Sequence, residues 1–149
     1  MTVATCRAVG LDLGDRRIGV ALSDNDGTVA LPFETVSRSG DTPRDHRRLA
    51  ELVAEAEADV VVVGLPLSLD GAAGPAATKV LAEVEVLDQL LDVPVVTWDE
   101  RLSTVEASRS LRAAGVNAKA QRAVIDKVAA SVILQGWLDH RSNGQDLTR

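Results

Sequence analysis

The sequence predicts an α/β protein with a five-stranded mixed sheet flanked by helices. Apolar runs of strand length alternate with segments in which apolar residues recur at helical spacing, in the order three strands, helix, strand, helix, strand, helix, helix. Two of the runs, Val60–Val63 and Val93–Trp98, are typical of strands that are buried on both faces. Because a helix connects them, they should run parallel and end at the same edge of the sheet, where we expect ligand chemistry.

The first three strands are expected to form a meander. The segments Cys6–Leu13 and Ile18–Ser23 are separated by a turn-length interruption, Gly14–Arg17, which is typical of a hairpin. A turn signal then leads into a third strand over Thr28–Val36. Pro32 cannot donate a backbone hydrogen bond, so this strand should lie near an edge of the sheet.

Helices are predicted from apolar spacing and from residues that begin or end a helix. Ser103 and Glu106 form a capping box and Gly115 is a natural stop, so a short helix should follow the last strand directly. The final helix has a broad apolar face. The predicted helices cover about residues 41–59, 80–91, 103–115 and 120–140.

The chain length of 149 residues is that of one domain, and no Pro-, Gly- or Ser-rich stretch divides it. We therefore predict a single domain over residues 1–149, with a flexible tail over about 142–149. The longest uncharged apolar run, Val60–Leu67, is too short to span a bilayer, and the N-terminus does not resemble a signal peptide. We expect a cytoplasmic protein that does not bind membranes.

Metal sites made from thiolates or histidines are not expected. Cys6 is the only cysteine, and both histidines, His46 and His140, lie in charged surroundings. Hard cations bound by carboxylates remain open.

The charge is unevenly distributed along the chain. The net charge of −6 argues against a protein that coats nucleic acid non-specifically. Residues 45–100 contain twelve acidic and three basic residues, whereas residues 101–127 contain six basic and two acidic ones. The second half could therefore face phosphate, although solvated helix faces would give the same pattern.

Asp12 interrupts an otherwise apolar strand, where an ionised carboxylate is costly unless a cation satisfies it. Gly10 and Gly14 flank it, and residues without side chains let a phosphate and a metal approach the backbone. The alternative is that Asp12 caps the turn and pairs with Arg16 or Arg17.

Asp99 and Glu100 end the last strand, at the edge where we expect ligand chemistry. Neighbouring strand residues point to opposite faces, so only one of the two is expected to reach the site. Its neighbour would pair with Arg101 or face solvent.

Asp126 lies within the apolar stretch of the last helix. The small residues Ala129 and Ala130 would let that helix press onto the sheet and bring Asp126 to the same edge. Alternatively, Asp126 forms a salt bridge with Arg122 or Lys127.

Acids from the first strand, the last strand and the last helix are thus expected to converge. Hard cations such as Mg²⁺ or Mn²⁺ take oxygen ligands. A pair of such ions can activate water and stabilise the leaving oxygen in a phosphodiester displacement, without any histidine. The pattern favours a metal-dependent nuclease.

At these positions the sequence resembles the YqgF, or RuvX, family of RNase H-like proteins, related in fold to the RuvC Holliday-junction resolvases. The resemblance covers nearly the whole chain and is carried by four segments. Ser68 and Leu69 depart mildly from the family, which often has Asn and Met there. The segments are residues 12–21, 63–71 and 99–104, and Asp126 with the following Ala129 and Ala130.

This resemblance implies an RNase H-like fold and a nuclease that processes the 5′ end of the pre-16S ribosomal RNA, with a role in ribosome biogenesis. It implies Asp12, Glu100 and Asp126 as the catalytic and metal-binding acids, with Asp99 competing with Glu100. The implied partner is structured RNA, with branched DNA as the alternative.

Five residues are candidates for binding nucleic acid. Guanidinium groups can donate two hydrogen bonds to one phosphate, whereas a lysine offers a weaker, less directional contact. The candidates are Gly14, Arg16, Arg17, Arg101 and Lys127.

Three rival functions stay open. Junction resolution would need a symmetric homodimer that presents a pair of active sites. A non-catalytic RNA-binding or transcription factor could keep the fold, although the presence of all the candidate acids favours catalysis. Actin-like ATPases also begin with a strand that carries Asp, an apolar residue and Gly, but they usually need a second such domain around the nucleotide.

Overall fold

The computed structural model describes residues 6–68, 70–102 and 119–142. The predicted helix over 103–115 and residues 143–149 of the tail predicted over about 142–149 lie outside these residues, while Ser142 belongs to the last helix. The elements in chain order are β1 (Ala8–Leu13), β2 (Arg17–Ser23), β3 (Ala30–Ser37), α1 (Thr42–Glu55), β4 (Val60–Leu65), α2 (Pro75–Leu90), β5 (Val95–Asp99), a 3₁₀ turn (Glu100–Leu102) and α3 (Lys119–Ser142).

The five strands form one mixed sheet in the order β3-β2-β1-β4-β5. β1, β4 and β5 run parallel, and β2 is antiparallel to its neighbours β1 and β3. The predicted sheet and the edge position of the strand that contains Pro32 are both confirmed. The carboxyl ends of β1, β3, β4 and β5 therefore meet at one side of the sheet, which we call the rim.

Helices cover both faces of the sheet. Apolar side chains of α1 and α2 pack with Leu11 and Val63 on one face, and those of α3 pack with Val62 and Trp98 on the other. At Gly10 the helix α3 lies almost on the strand, because a Cβ there would stand 2.7 Å from Cβ of Leu134. Gly10 therefore lies on the face that α3 covers. Because every second residue of a strand points to the same face, Asp12 lies on that face too.

The helix ends follow from local chemistry. Asp41 caps α1 by accepting a hydrogen bond from the backbone N–H of Arg44 at 3.2 Å, as expected of an aspartate before a first-turn proline. α2 begins at Pro75, earlier than the predicted Val80, because its first turn follows a glycine-rich loop and has little apolar periodicity. None of the helices in the described residues is long and apolar enough to span a bilayer.

Candidate functional site

A cavity of about 850 Å³ lies at the rim. Its lining includes Asp12 at the end of β1, Glu100 directly after β5, and Asp126 in α3. Three elements that are far apart in sequence therefore bring the three predicted acids to one place. Asp99 is not part of the lining.

Asp12 is buried, with 6% of its surface exposed. It stands opposite Gly19 of β2 in the antiparallel register, on the face that α3 covers. A Cβ at Gly19 would clash with the backbone carbonyl of Asp126. The missing side chain at Gly19 therefore allows α3 to carry Asp126 against the strand pair that carries Asp12.

The structure distinguishes Glu100 from Asp99. Trp98 packs among the side chains under α3, and Glu100, two residues further on, stays on that side with 7% of its surface exposed. A Cβ at Gly64 of β4 would lie 3.0 Å from Oε2 of Glu100. Glycine at position 64 thus leaves room for the Glu100 carboxylate beside the sheet.

Asp99 instead binds its neighbour Arg101. Oδ2 of Asp99 accepts a hydrogen bond from Nη2 of Arg101 at 2.6 Å, and Oδ1 accepts one from the backbone N–H of Arg101 at 2.9 Å. The hydrogen bonds from the Arg101 side chain, together with that backbone bond, hold the pKa of Asp99 below its ordinary value. Pairing with Arg101 is one of the two alternatives that the sequence leaves open for whichever of Asp99 and Glu100 does not reach the site.

Asp126 forms an ion pair with Arg17, the first residue of β2. Nε of Arg17 lies 2.6 Å from Oδ2 of Asp126, and both side chains are largely buried, with 29% and 20% exposed. The sequence suggests Arg122 or Lys127 as the partner of Asp126 and offers Arg17 as a partner of Asp12. The side chain of Arg122 lies outside the described part of the chain, and the partner found for Asp126 is Arg17.

The other predicted nucleic-acid-binding residues surround this pair. Gly14 forms the tight β1–β2 turn, where its N–H donates to the carbonyl oxygen of Arg17 at 3.0 Å. Arg16 is exposed on the same turn, and Lys127 is partly exposed on α3 next to Asp126. Arg101 is exposed beyond β5, where its guanidinium is bound by Asp99.

Besides Asp15 in the β1–β2 turn, four charged or titratable side chains in the lining were not predicted from the sequence as site residues. Arg38 follows β3, His46 lies on α1, and Lys79 and Glu83 lie one turn apart on α2. Arg38 could have been found, because it follows a strand that ends at the rim. The other three depend on how α1 and α2 pack, which apolar spacing alone does not give.

Glu83 binds both Arg38 and His46. Arg38 and Lys79 bind the β1–β2 turn. Glu83 accepts hydrogen bonds from Arg38 Nη1 at 3.0 Å and Nη2 at 2.8 Å, and its Oε2 lies 2.7 Å from Nε2 of His46. Nζ of Lys79 lies 2.6 Å from Oδ1 of Asp15. Burial opposes ionisation of Glu83, but the hydrogen bonds from Arg38 and His46 outweigh it and hold the pKa of this carboxyl below its ordinary value.

The donor chemistry of the site suits a hard cation. Asp12 and Glu100 are buried carboxylates in the lining of one cavity, and carboxylate oxygens are ligands that Mg²⁺ and Mn²⁺ prefer. Among the residues that the structure describes, no three acidic, histidine or cysteine side chains are close enough together to hold an ion. In this arrangement Oδ2 of Asp126 binds Arg17, so a three-carboxylate site requires a rearrangement of these side chains.

Comparison with known proteins places these residues in a family. The family model described as "RuvX: Holliday junction resolvase" matches residues 6–140. A Mycobacterium sp. (strain KMS) protein named "Putative pre-16S rRNA nuclease" is 55% identical over 136 residues, which cover 91% of this chain and 80% of that protein. A protein of the same name from Desulforudis audaxviator is 43% identical over 140 residues, covering 94% of this chain and 99% of that protein.

Solved structures give the same fold. The RuvC of T. thermophilus in complex with a Holliday junction substrate superposes with a TM-score of 0.60 at 18% identity, over 93% of this chain and 96% of that one. A second T. thermophilus RuvC structure superposes with a TM-score of 0.55 over 92% of this chain and 96% of that one. The predicted RNase H-like fold is confirmed, and the chain belongs to the RuvX family.

Proposed function

We propose that this protein is a cytoplasmic, metal-dependent nuclease that processes the 5′ end of pre-16S ribosomal RNA during ribosome biogenesis. The observation that carries the proposal is the convergence of Asp12, Glu100 and Asp126 on one cavity in a chain of the RuvX family. The names of the mycobacterial and Desulforudis relatives support the RNA substrate.

Asp12 and Glu100, with Asp126 once it leaves Arg17, are the residues that would hold Mg²⁺ or Mn²⁺. Such ions supply an activated water and stabilise the leaving oxygen in phosphodiester hydrolysis. The buried position of Asp12 and Glu100 keeps the carboxylates oriented toward the cavity. Asp99 has a different role, because it orients Arg101 at the side of the site.

The cationic side chains around the acids would hold the substrate backbone. Arg16 lies in the β1–β2 turn and Arg17 begins β2, and the guanidinium group of each can donate two hydrogen bonds to a phosphate. Arg101, next to Glu100 in the chain, and Lys127, next to Asp126, would add further contacts to phosphate. Because Gly14 has no side chain, the backbone of a nucleic acid could approach Asp12 across the turn.

The proposal is tested by cleavage of three substrates side by side: pre-16S ribosomal RNA, a four-way DNA junction and single-stranded DNA, each with Mg²⁺ and with excess chelator. We expect cleavage of the RNA near its 5′ end with Mg²⁺ only. Chelation should leave the circular dichroism spectrum unchanged, because the fold is built on two apolar layers. Full cleavage in chelator would contradict a carboxylate-bound metal.

Junction resolution is the second candidate. It is favoured by the description of the RuvX family as Holliday junction resolvases and by the likeness in fold to RuvC. A resolvase must present a pair of active sites, so it requires a homodimer. Preferential cleavage of the four-way junction by a species that sediments as a dimer would favour this function over RNA processing.

A further inference from the structure

Arg38, His46 and Glu83 form a largely buried ionic cluster in the lining of the cavity. Their side chains are 18%, 4% and 15% exposed. Burying charged groups is costly, and replacing such a cluster by apolar residues is often neutral or stabilising. Stability alone therefore does not explain the presence of this cluster beside the site.

Arg38 connects this cluster to the turn that follows Asp12. Its Nε donates to the carbonyl oxygen of Gly14 at 2.7 Å, while Nη1 and Nη2 both donate to Glu83. Its backbone N–H donates to the carbonyl oxygen of Arg16 at 2.9 Å. One side chain thus bridges α2 and the β1–β2 turn.

The turn transmits this constraint to Asp12. The N–H of Gly14 donates to the carbonyl oxygen of Asp12 at 3.0 Å, so the peptide groups on both sides of Gly14 are fixed by hydrogen bonds. His46 on α1 completes the chain by binding Glu83. The contacts run from α1 through α2 to the strand end that carries the buried carboxylate.

We propose that Arg38, Glu83 and His46 are positioning residues that set the orientation of the Asp12 carboxylate through the carbonyl group of Gly14. In this way α1 and α2 control a site to which they contribute none of the candidate metal ligands. A guanidinium group is required at position 38, because a lysine cannot donate from Nε to Gly14 and to both oxygens of Glu83 at once. This inference rests on the proposed function only for its activity readout.

The exposed ion pair Lys79–Asp15 joins the same turn to the same helix but should matter less. Its side chains are 72% and 79% exposed, and solvent-exposed pairs contribute little because water and salt screen them. The buried connection through Arg38 is therefore the one expected to fix the turn.

The test replaces Arg38 by Lys and compares it with Arg48→Lys. Arg48 likewise donates to both oxygens of a glutamate, Glu34, at 3.2 and 3.1 Å, but it joins α1 to β3 and lies outside the cavity lining. For Arg38→Lys we expect kcat for RNA cleavage to fall by at least about tenfold with KM nearly unchanged, since a small misplacement of a catalytic group is costly. Arg48→Lys should keep the unmodified kcat.

Amide hydrogen exchange gives a second readout that needs no cleavage. Exchange of the Gly14 N–H should accelerate by about tenfold or more in Arg38→Lys but not in Arg48→Lys. If the unmodified protein cleaves no substrate, the proposed function fails, whereas this readout still tests the connection. Unchanged exchange at Gly14, or an equal loss of kcat in both variants, would overturn the inference.

Glu83→Gln keeps the size of the side chain and provides the test if Arg38→Lys does not fold. It should also lower kcat and accelerate exchange at Gly14, and the double variant Arg38→Lys/Glu83→Gln should be no worse than the more severe single variant, because both changes break one connection. Additive losses in the double variant would show that the two residues act separately and would overturn the inference.

Discussion

The side chains of Arg17 and Asp126 form an ion pair in which Nε and Oδ2 are 2.6 Å apart, at the point where α3 crosses the start of β2. From the sequence, these residues are expected to have different roles, Arg17 as a phosphate ligand and Asp126 as a metal ligand. A carboxylate that is neutralised by a guanidinium attracts a cation less strongly, and the guanidinium is less available to phosphate. Binding of metal and binding of substrate at this site should therefore be linked through the opening of this pair.

Replacing Arg17 by Ala tests this relationship. Loss of the guanidinium should strengthen binding of Mn²⁺ in the absence of RNA, because Asp126 is then free to act as a ligand and the local potential is more negative. Calorimetric titration with Mn²⁺ measures this effect. RNA binding should weaken, with a less steep dependence on salt by about one contact.

Arg44→Ala removes a charge from an exposed residue of α1 and controls for the change in net charge. An Arg17→Ala protein that binds Mn²⁺ no better than Arg44→Ala would show that the ion pair does not restrain Asp126.

Replacing Asp12 by Asn separates catalysis from binding. Asparagine has nearly the size of aspartate but lacks the charge of a metal ligand. The cleavage rate should fall by orders of magnitude, while RNA affinity stays the same or improves because a negative charge is removed. The control is Asp26→Asn, in the exposed turn between β2 and β3. Cleavage by Asp12→Asn at the unmodified rate would support a non-catalytic RNA-binding protein instead.

Glu100 and Asp99 should respond differently to loss of charge. Glu100→Gln removes a buried carboxylate from the cavity lining and should abolish metal-dependent cleavage. Asp99→Asn releases Arg101 and should leave most of the cleavage rate while changing KM for RNA. Steady-state kinetics of both variants measure the contrast. Equal losses of kcat in both variants would mean that the orientation of Arg101 is itself needed for the chemical step.

The strands and the convergence of the acids could be predicted because they depend on local pattern and on one topological rule. Apolar runs placed every strand within a few residues, and a parallel crossover forces strand ends to one side of a sheet. The assignment of Glu100 could not be made in this way. Because neighbouring strand residues alternate, Asp99 and Glu100 are expected to point to opposite faces of the sheet. Only the packing of Trp98 under α3 shows which of the two points to the face that α3 covers.

Long-range contacts of charged side chains were beyond prediction for a different reason. The partner of Asp126 is 109 residues away, and the partners of Glu83 lie directly after β3 and on α1, so nothing in the local sequence indicates them. Gly64 illustrates the same limit. In the sequence it marks the end of β4, whereas in the structure the strand continues through it to Leu65, and the missing side chain makes room for Glu100 and Ile133.

The free energy of unfolding should decrease in acid because two largely buried carboxyl groups, those of Asp45 and Glu83, become protonated. At Asp45 burial raises the pKa, but hydrogen bonds from the hydroxyl and N–H groups of Ser39 lower it by more, so that the net shift is downward. The pKa of Glu83 is lowered by Arg38 and His46 in the same way. A carboxyl group whose pKa is lowered in the folded state stabilises the protein at pH values above its ordinary pKa. This stabilisation is lost as the pH falls from the ordinary pKa through the folded-state pKa. The loss should therefore begin near the ordinary value for Glu83 of 4.5 and continue below it.

Urea unfolding between about pH 7 and about pH 3 measures this dependence. Glu83→Gln cannot lose a charge at that position, so its free energy of unfolding should fall less steeply below the ordinary pKa of glutamate. Identical slopes for Glu83→Gln and the unmodified protein would show that Glu83 does not contribute to the acid response.

Replacing Gly19 by Ala should damage both the fold and the site. A Cβ at position 19 would clash with the backbone carbonyl of Asp126, and because the obstacle is backbone, α3 has to shift as a whole. Such overpacking costs about 1–3 kcal/mol, and the shift would move the Asp126 carboxylate away from the cavity. Gly74→Ala is the matched control, since a Cβ there meets nothing within 4 Å. Urea unfolding and RNA cleavage measure the two effects, and Gly19→Ala should lower both while Gly74→Ala leaves the free energy of unfolding nearly unchanged. A Gly19→Ala protein as stable and as active as Gly74→Ala would mean that α3 does not need to lie this close to β2 for the site to form.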